Sequence, residues 1–460
     1  MSRAPQRAGG EESAPDTAPT AAAPAARTGG RRDLAVLWGV NAVDGLGSQA
    51  SGLVFPLLLL RLGHGPGTAG AVAAAAALAG VLLGPLVAVP ADRGRRRRIM
   101  TGAAAVAALA TAGLAVSCRW HPPLWVLLGL ACAERLSATA YEAAARGALA
   151  RLADPEDLPR AVAGIQAGDQ AALVAGPALG GALFGVSRFL PFAVDAVSYL
   201  VAAVGVRAIR APLDGPAGPV DAGVLPPGPA PRRRGPARGE LRAGAAAVVR
   251  SPALRLVLLW STAASGALAL LFYTAVFVLG AGAGGAATGA VLAASGAAGL
   301  AGSLAAPRVV RRFGGHRSLT AATWLLVPSC AALAAADGPW RWALCFCALC
   351  LVMPVVTVVL GGAAVLAVPR EVQSRTGAVL GTSGALAAAA APAVAAALVV
   401  RVGAPAPALL CTAVLALLAV HTQRTARTAL RPAASAPEPA GGSGPARPAD
   451  PTVPAPGGRS

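Results

Sequence analysis

Apolar positions in this chain do not recur at the two-residue period of a strand or along one face of a helix. They come as near-continuous runs of about 20 residues, separated by short Arg-bearing segments. A run of that length crosses the roughly 30 Å hydrocarbon core of a bilayer as an α-helix. In lipid the helix is one of the few structures that satisfies every backbone donor and acceptor. The pattern predicts spans at about 34–62, 68–90, 99–117, 124–145, 161–186 and 190–206, then, after an interruption, at about 253–279, 287–306, 318–335, 341–368, 377–400 and 404–421. The interruption, 207–252, holds Pro226, Pro227, Pro229, Pro231 and the run Arg232, Arg233, Arg234. It reads as a flexible linker with a short helix over 240–249. Residues 1–33 and 422–460 are Pro/Ala/Gly-rich and read as disordered tails. The first tail lacks the apolar core of a cleavable signal, so the first span acts as the membrane address. The expected fold is an all-α membrane protein of twelve transmembrane helices in two six-helix bundles, 34–206 and 253–421.

Composition agrees: 55% of residues are hydrophobic and 13% charged, against about 25% charged in soluble domains. An ordinary globular enzyme is thereby excluded. A formal charge of +19 suggests nucleic acid until its positions are read. All 39 basic residues are Arg, and 23 of them fall in alternate loops, with five more in each tail. The opposite loops hold only Arg61, Arg119, Arg188, Arg341 and Arg401. By the positive-inside rule the tails and Arg-rich loops are cytoplasmic and the protein sits in the cell membrane. The basic charge is then topology, and no nucleic-acid partner is needed.

The seven cysteines lie in or beside apolar runs, where free Cys behaves as a small hydrophobe. Cys345, Cys347 and Cys350 lack a second cluster to complete a zinc set, so no metal is expected. There is no phosphate-binding G-x-x-x-x-G-K-[ST], and the four His lie at loops or span ends. Neither a catalytic residue nor a cofactor is expected; energy must come from an ion gradient or from the substrate's own.

The two halves resemble each other. Loop 2–3 ends in DRGRRRR over 92–98, and loop 8–9, six spans later, reads PRVVRRFGGHR over 307–317. Pro177 in span 5 and Pro392 in span 11 lie at nearly matching depths. Repeated halves with helices interrupted in matching positions are the pattern of transporters that rock two bundles about a central site.

Specific motifs carry a family resemblance. GPLVAVPADRGRRRR over 84–98 is similar to the loop 2–3 signature of the major facilitator superfamily, with Ala88 in place of the opening Gly and Arg95 where the motif Gly is expected. Gly176, Pro177, Gly180 and Gly181 in span 5 resemble its antiporter signature, with Ala172 at the first glycine position. RGALARLADPEDLPRA over 146–161 and PFAVDAVSY over 191–199 resemble the bacterial drug and siderophore exporter subgroup, which includes macrolide and enterobactin exporters. The resemblance covers about 34–421 and implies the major facilitator fold and an exporter. It also implies a cytoplasmic gate latched by Asp92 and Arg93 with Arg96 or Arg97, joined by Glu142, Arg146, Arg308 and Arg312. Against this stands the reading that the Arg cluster only sets topology. The glycines would let helices approach closely and Pro177 would bend its helix.

Ionisable groups within spans are the sharper clue, since each costs at least about 2.5 kcal/mol at the bilayer centre. Asp44, Glu134, Glu142, Asp169 and Asp195 all lie in the first half; Asp337 and Glu371 fall in loops. Asp44, Glu134, Asp169, Asp195 and Arg135 are the proton-coupling candidates, Arg135 because it matches loosely the span-4 arginine of the family's drug antiporters. Plainer readings stand beside these: a Glu142–Arg146 ion pair four residues apart, Asp195 reaching headgroup water, and Asp169 bonding a neighbouring helix. Adjacent residues on a helix point about 100° apart, so Glu134 and Arg135 are expected to have different partners. Tyr273 and Phe277, one turn apart in span 7, are the cavity candidates. The expected function is proton-coupled export of a small hydrophobic drug-like compound by a monomer in the bilayer, its partners being that substrate, protons and lipid. The alternatives are a metabolite importer or proton-independent facilitator, or a membrane binding protein that keeps the fold without transporting.

Overall fold

The computed structural model describes residues 28–92, 94–120, 122–153, 157–214, 246, 248–282, 284–366 and 370–429. Each apolar run forms one helix. The first six are α1 (Thr28–Arg61), α2 (Pro66–Asp92), α3 (Arg96–Ser117), α4 (Leu124–Leu152), α5 (Leu158–Val186) and α6 (Leu190–Ala208). The second six are α7 (Pro252–Gly282), α8 (Gly284–Phe313), α9 (Gly315–Ala334), α10 (Pro339–Leu366), α11 (Arg370–Arg401) and α12 (Ala406–Ala429). Among the described residues nine of these are long and apolar enough to cross a membrane by length and composition. α4, one of the other three, carries Glu134, Arg135, Glu142 and Arg146. Pro177 and Pro392 lie inside α5 and α11, where each removes one backbone donor from its helix.

The same packing scheme appears twice. In the first bundle α1 packs on α5 and α6, α3 on α4 and α6, and α2 on α4; in the second α7 packs on α11 and α12, α9 on α10 and α12, and α8 on α10. The bundles meet along α2–α11 and α5–α8, pairs that exchange under the same six-helix shift. The fold is therefore two repeats related by an approximate two-fold axis, the architecture expected from the repeated motifs.

With an even number of helices among the described residues, the start of α1 and the end of α12 lie at one face, here the tail face. Contact between the bundles is concentrated at the opposite, far face. A large buried cluster joins Leu53, Val54 and Leu57 of α1 to Val276 and Leu279 of α7, Val291 of α8 and Ala395 of α11. Toward the tail face a second cluster, with Leu37, Met100, Leu149 and Val206, belongs to the first bundle alone. Small residues permit the far-face closure. A Cβ on Gly70 of α2 would strike the Pro392 carbonyl and lie 2.5 Å from Ala396 Cβ, and one on Gly289 of α8 would lie 2.5 Å from the Pro177 carbonyl and 2.9 Å from Gly181 Cα. Without side chains, helices in lipid approach until backbones touch. The molecule is closed at the far face and splayed at the tail face.

Several expected boundaries shift. α1 begins at Thr28 and α12 runs to Ala429, so both helices extend into the expected tails. Glu371 falls in the first turn of α11 and not in a loop. Most of 240–249 and of the linker lies outside the described residues, but 209–214 is held fast. Asp33 Oδ2 accepts from the backbone N–H of Arg210 (3.1 Å) and Ala211 (2.8 Å). Arg97 donates to the carbonyls of Ile209 (2.6 Å) and Ala211 (2.8 Å) and, more weakly, to those of Val206 and Arg207, while its N–H donates to Asp214 Oδ1 (3.0 Å). Arg151 donates to the Asp214 carbonyl at 3.2 Å. The last carbonyls of α6 have no helical partner, and a guanidinium there satisfies them and complements the helix dipole. Arg97→Ala is expected to cost about 1–3 kcal/mol, read as a lower thermal unfolding midpoint of the purified chain and faster proteolysis near 209–214; an unchanged midpoint would refute the anchoring role.

Candidate functional site

Helical spacing gathers the polar residues of three helices onto one wall. Asn41, Asp44, Gly45, Ser48, Gln49 and Gly52 recur at three- and four-residue steps along α1, which puts them on one face. Glu134, Arg135, Ala138, Tyr141, Glu142, Ala145 and Arg146 do the same on α4, and Val162, Ile165, Gln166, Asp169 and Ala172 on α5. Together these faces line a cavity of about 710 Å³, closed on the side of the second bundle by Phe272 and Tyr273 of α7. That volume is in the range of drug-sized sites. Its lining follows α4 from Glu134 to Leu149, so the cavity extends toward the tail face.

Behind the wall, α1 and α6 are joined by a ladder of hydroxyls and carboxyls. Tyr199 Oη donates to Glu134 Oε1 at 2.7 Å and lies 3.0 Å from Ser48 Oγ, which therefore donates to Tyr199. One turn away, Ser51 Oγ donates to Asp195 Oδ2 at 2.6 Å and Ser198 Oγ to Asp195 Oδ1 at 3.2 Å. Asp195 is 0% exposed, so it does not reach headgroup water; Gly47 lets α1 close over it, since a Cβ there would clash with Ser198 Oγ and come 2.7 Å from Asp195 Oδ1. A buried carboxyl with two hydroxyl donors is a satisfied polar group, which is how such a residue persists in an apolar bundle.

Glu142 pairs with Arg135 Nη2 at 3.7 Å, two turns back along α4, and not with the expected partner Arg146 one turn ahead. Both side chains are partly exposed to the cavity. Position 135 lies two turns before 142, on the same face, and Gly80 of α2 leaves room for the Arg135 stem. Glu134 and Arg135 do have different partners, Tyr199 and Glu142. Asp169 is exposed on the α5 wall.

Two pieces of the expected site fall elsewhere. Phe277 is 2% exposed in the core, its ring centroid 6.2 Å from that of Tyr273. Phe272, at 5.3 Å and near-perpendicular to Tyr273, takes the lining position instead. A one-turn step along α7 moves toward the closed far face, where helices fill the space. In the expected latch the described arginines have contacts of their own. Arg97 anchors 209–214; the side chains of Asp92 and Arg93 lie outside the described residues. Arg96 is buried against Gly147 of α4, where a Cβ would lie 2.5 Å from its Nε. Arg308 donates to the Leu304 carbonyl of its own helix at 3.0 Å, and Arg312 lies 5.6 Å from the neighbouring Phe313 ring centroid. Neither arginine spans the open tail face.

The antiporter-like glycines seat α5 between two helices. A Cβ on Gly176 would clash with Gln49 and one on Gly180 with the Ala50 carbonyl of α1, while Gly181 and the Pro177 carbonyl meet Gly289 of α8. This segment touches both the cavity helix and the bundle interface. Sequence reasoning missed Ser48, Ser51, Gln49, Gln166 and Tyr199. The polar positions 41, 44, 48 and 49 in span 1 were a usable signal, because they trace one helical face in an otherwise apolar run.

The family profile of the Major Facilitator Superfamily matches residues 37–389, more than three quarters of the chain. The chain belongs to the major facilitator superfamily. Similar solved structures include the nucleoside transporter NupG (12% identity, 86% of this chain and 99% of that one covered, TM-score 0.63). Others are the human organic anion transporter MFSD10, also called TETRAN (19%, 86% and 99%, TM-score 0.59), and a bacterial homologue of the iron transporter ferroportin in an inward-facing state (18%, 85% and 99%, TM-score 0.60). At such identities the likeness concerns the fold. Among curated proteins none matches the chain in sequence. As a superfamily member the chain is a multi-pass membrane transporter, with a small-molecule substrate and the bilayer as its surroundings.

Proposed function

We propose that this transporter is a monomeric, proton-coupled exporter of a small, fairly hydrophobic compound, sitting in the cell membrane with its tails and Arg-rich loops in the cytoplasm. The observation that carries the reading is a cavity that extends toward the tail face and whose wall holds Glu134, hydrogen-bonded by Tyr199 and backed by Ser48. Substrate enters from the cytoplasm as Glu134 gives up its proton. Rocking then parts the far-face contacts at Gly70–Pro392 and Gly289–Gly181. Outside, a proton returns to the carboxyl as substrate leaves, and the reprotonated protein resets. Asp195, with its hydroxyl donors on the same ladder, is a second proton position, and Asp44 a third.

Everted membrane vesicles energised with a proton gradient test this, using lipophilic dyes and antibiotics with wild type, Asp44→Asn and Glu134→Gln. Gradient-driven accumulation lost in Glu134→Gln, with the protein still inserted, is the expected result. Accumulation indifferent to a protonophore would refute coupling and leave a facilitator. Tyr199→Phe removes one hydrogen bond to a carboxylate, worth about 1.5–3 kcal/mol. It is expected to slow gradient-driven uptake about 10- to 100-fold while leaving insertion intact; a wild-type rate would sink the role given to this hydroxyl.

A further inference from the structure

We infer that Asp44 and Tyr141 form the recognition site for a positively charged nitrogen, so that the substrate is an organic cation with a protonated amine beside an apolar portion. This deepens the transport reading above and rests on its cavity. Two buried polar atoms on that wall have no hydrogen-bond partner: Asp44 Oδ1 and the Tyr141 hydroxyl. Tyr141 is only 2% exposed, yet both residues line the cavity. Buried polar groups in folded proteins are almost always paired, so two orphaned atoms on residues that line one cavity point to a ligand atom that completes them. A carboxylate oxygen accepts only. The matching ligand group is therefore a donor, and an N–H carrying positive charge makes the strongest such bond.

Charge supports the same sign. The lining holds Asp44, Glu134, Glu142 and Asp169 against Arg135 and Arg146. Arg135 is paired with Glu142, and Glu134 accepts from Tyr199; the inner guanidinium already faces a carboxylate, whereas Asp44 Oδ1 has no partner. Opposite this wall Phe272 and Tyr273 present aromatic surface, which accepts an apolar ring or the face of a cation. A hard metal ion requires six or more oxygen ligands; a single carboxylate beside a phenol and an aromatic wall suits an organic ammonium instead.

Direct binding to the purified full chain, followed by dansyl fluorescence, separates the possibilities. The probes are a dansyl amide with a dimethylaminoethyl arm, its neutral butyl congener and its carboxyethyl congener. Wild type is expected to bind the amine at least about tenfold more tightly than the neutral compound. Asp44→Asn should weaken the amine about 10- to 100-fold and leave the neutral compound within about twofold. Tyr141→Phe should weaken the amine by a smaller factor. Thermal unfolding of each variant establishes that it is folded. Equal binding of amine and neutral probe by wild type, preference for the carboxylate, no amine binding by folded protein, or equal weakening of amine and neutral probe in Asp44→Asn would each overturn the inference. Because the readout needs no gradient, the proposals fail separately: selective amine binding without proton-driven uptake keeps the cation site and removes the coupling, and Glu134-dependent uptake without amine selectivity does the reverse.

Discussion

In vesicles holding a two-unit pH gradient, Glu134→Gln is expected to bring accumulation of an electroneutrally exchanged compound from a ceiling of about 100-fold down to about onefold. The ceiling follows from coupling one proton to one substrate, because each pH unit supplies about 1.4 kcal/mol, a factor of ten. The amide keeps the shape of the carboxyl and still accepts from Tyr199 Oη, so the helix packing that the 2.7 Å bond supports is preserved while the titrating group is gone. Asp169 and Glu142 are poorer candidates for the essential proton, since the first is exposed on the wall and the second is paired with Arg135. Asp195 is the real competitor: it is sealed between α1 and α6 with two hydroxyl donors. If Glu134→Gln retains gradient-driven uptake while Asp195→Asn loses it, the proton position moves from α4 to α6 and the role given to Glu134 is wrong.

Gly289→Val is expected to disfavour the far-face-closed conformation by a factor of about 5 to 150 and to slow transport correspondingly. Its Cβ would lie 2.5 Å from the Pro177 carbonyl and 2.9 Å from Gly181 Cα, backbone atoms that cannot swing aside as a side chain would. Overpacking a close contact costs about 1–3 kcal/mol, and a conformational equilibrium shifts by that difference whenever only one state contains the contact. Spin labels at the far ends of α5 and α8, in a cysteine-free background, would report the change as a longer distance population. An unaltered distribution with wild-type transport would mean that this contact does not gate the far face.

The span-5 signature illustrates how far local reading reaches. Small residues at 176, 180 and 181 announce close helix approach whatever their partners. Which partners they meet, α1 for Gly176 and Gly180 but α8 for Gly181, depends on the placement of three helices distant in the chain. The Arg cluster after span 2 behaves similarly. Its charge bears on topology through the loops alone, whereas the particular carbonyls taken by Arg97 are those of α6 and 209–211, more than a hundred residues away. Motif matching directed attention to Asp92 for that guanidinium; its bonds to the unsatisfied end of a helix depend on tertiary placement.

Sequence alone determined the all-helical class, the twelve spans, the two-bundle repeat and the concentration of membrane-buried acids in the first half. These are properties of single segments: an apolar run must be about as long as the bilayer is thick, and a buried charge is anomalous wherever it lies. Tertiary structure alone decided that Glu142 pairs with Arg135, that Asp195 is sealed beneath Gly47, that Phe272 lines the cavity while Phe277 fills the core, and that Tyr199 reaches Glu134. Those outcomes belong to pairs of helices, and in lipid an apolar helix carries little amphipathic signal to say which face meets a neighbour and which meets lipid. Only where polar side chains trace one face, as at Asn41, Asp44, Ser48 and Gln49, does the chain itself hint at the wall of the cavity.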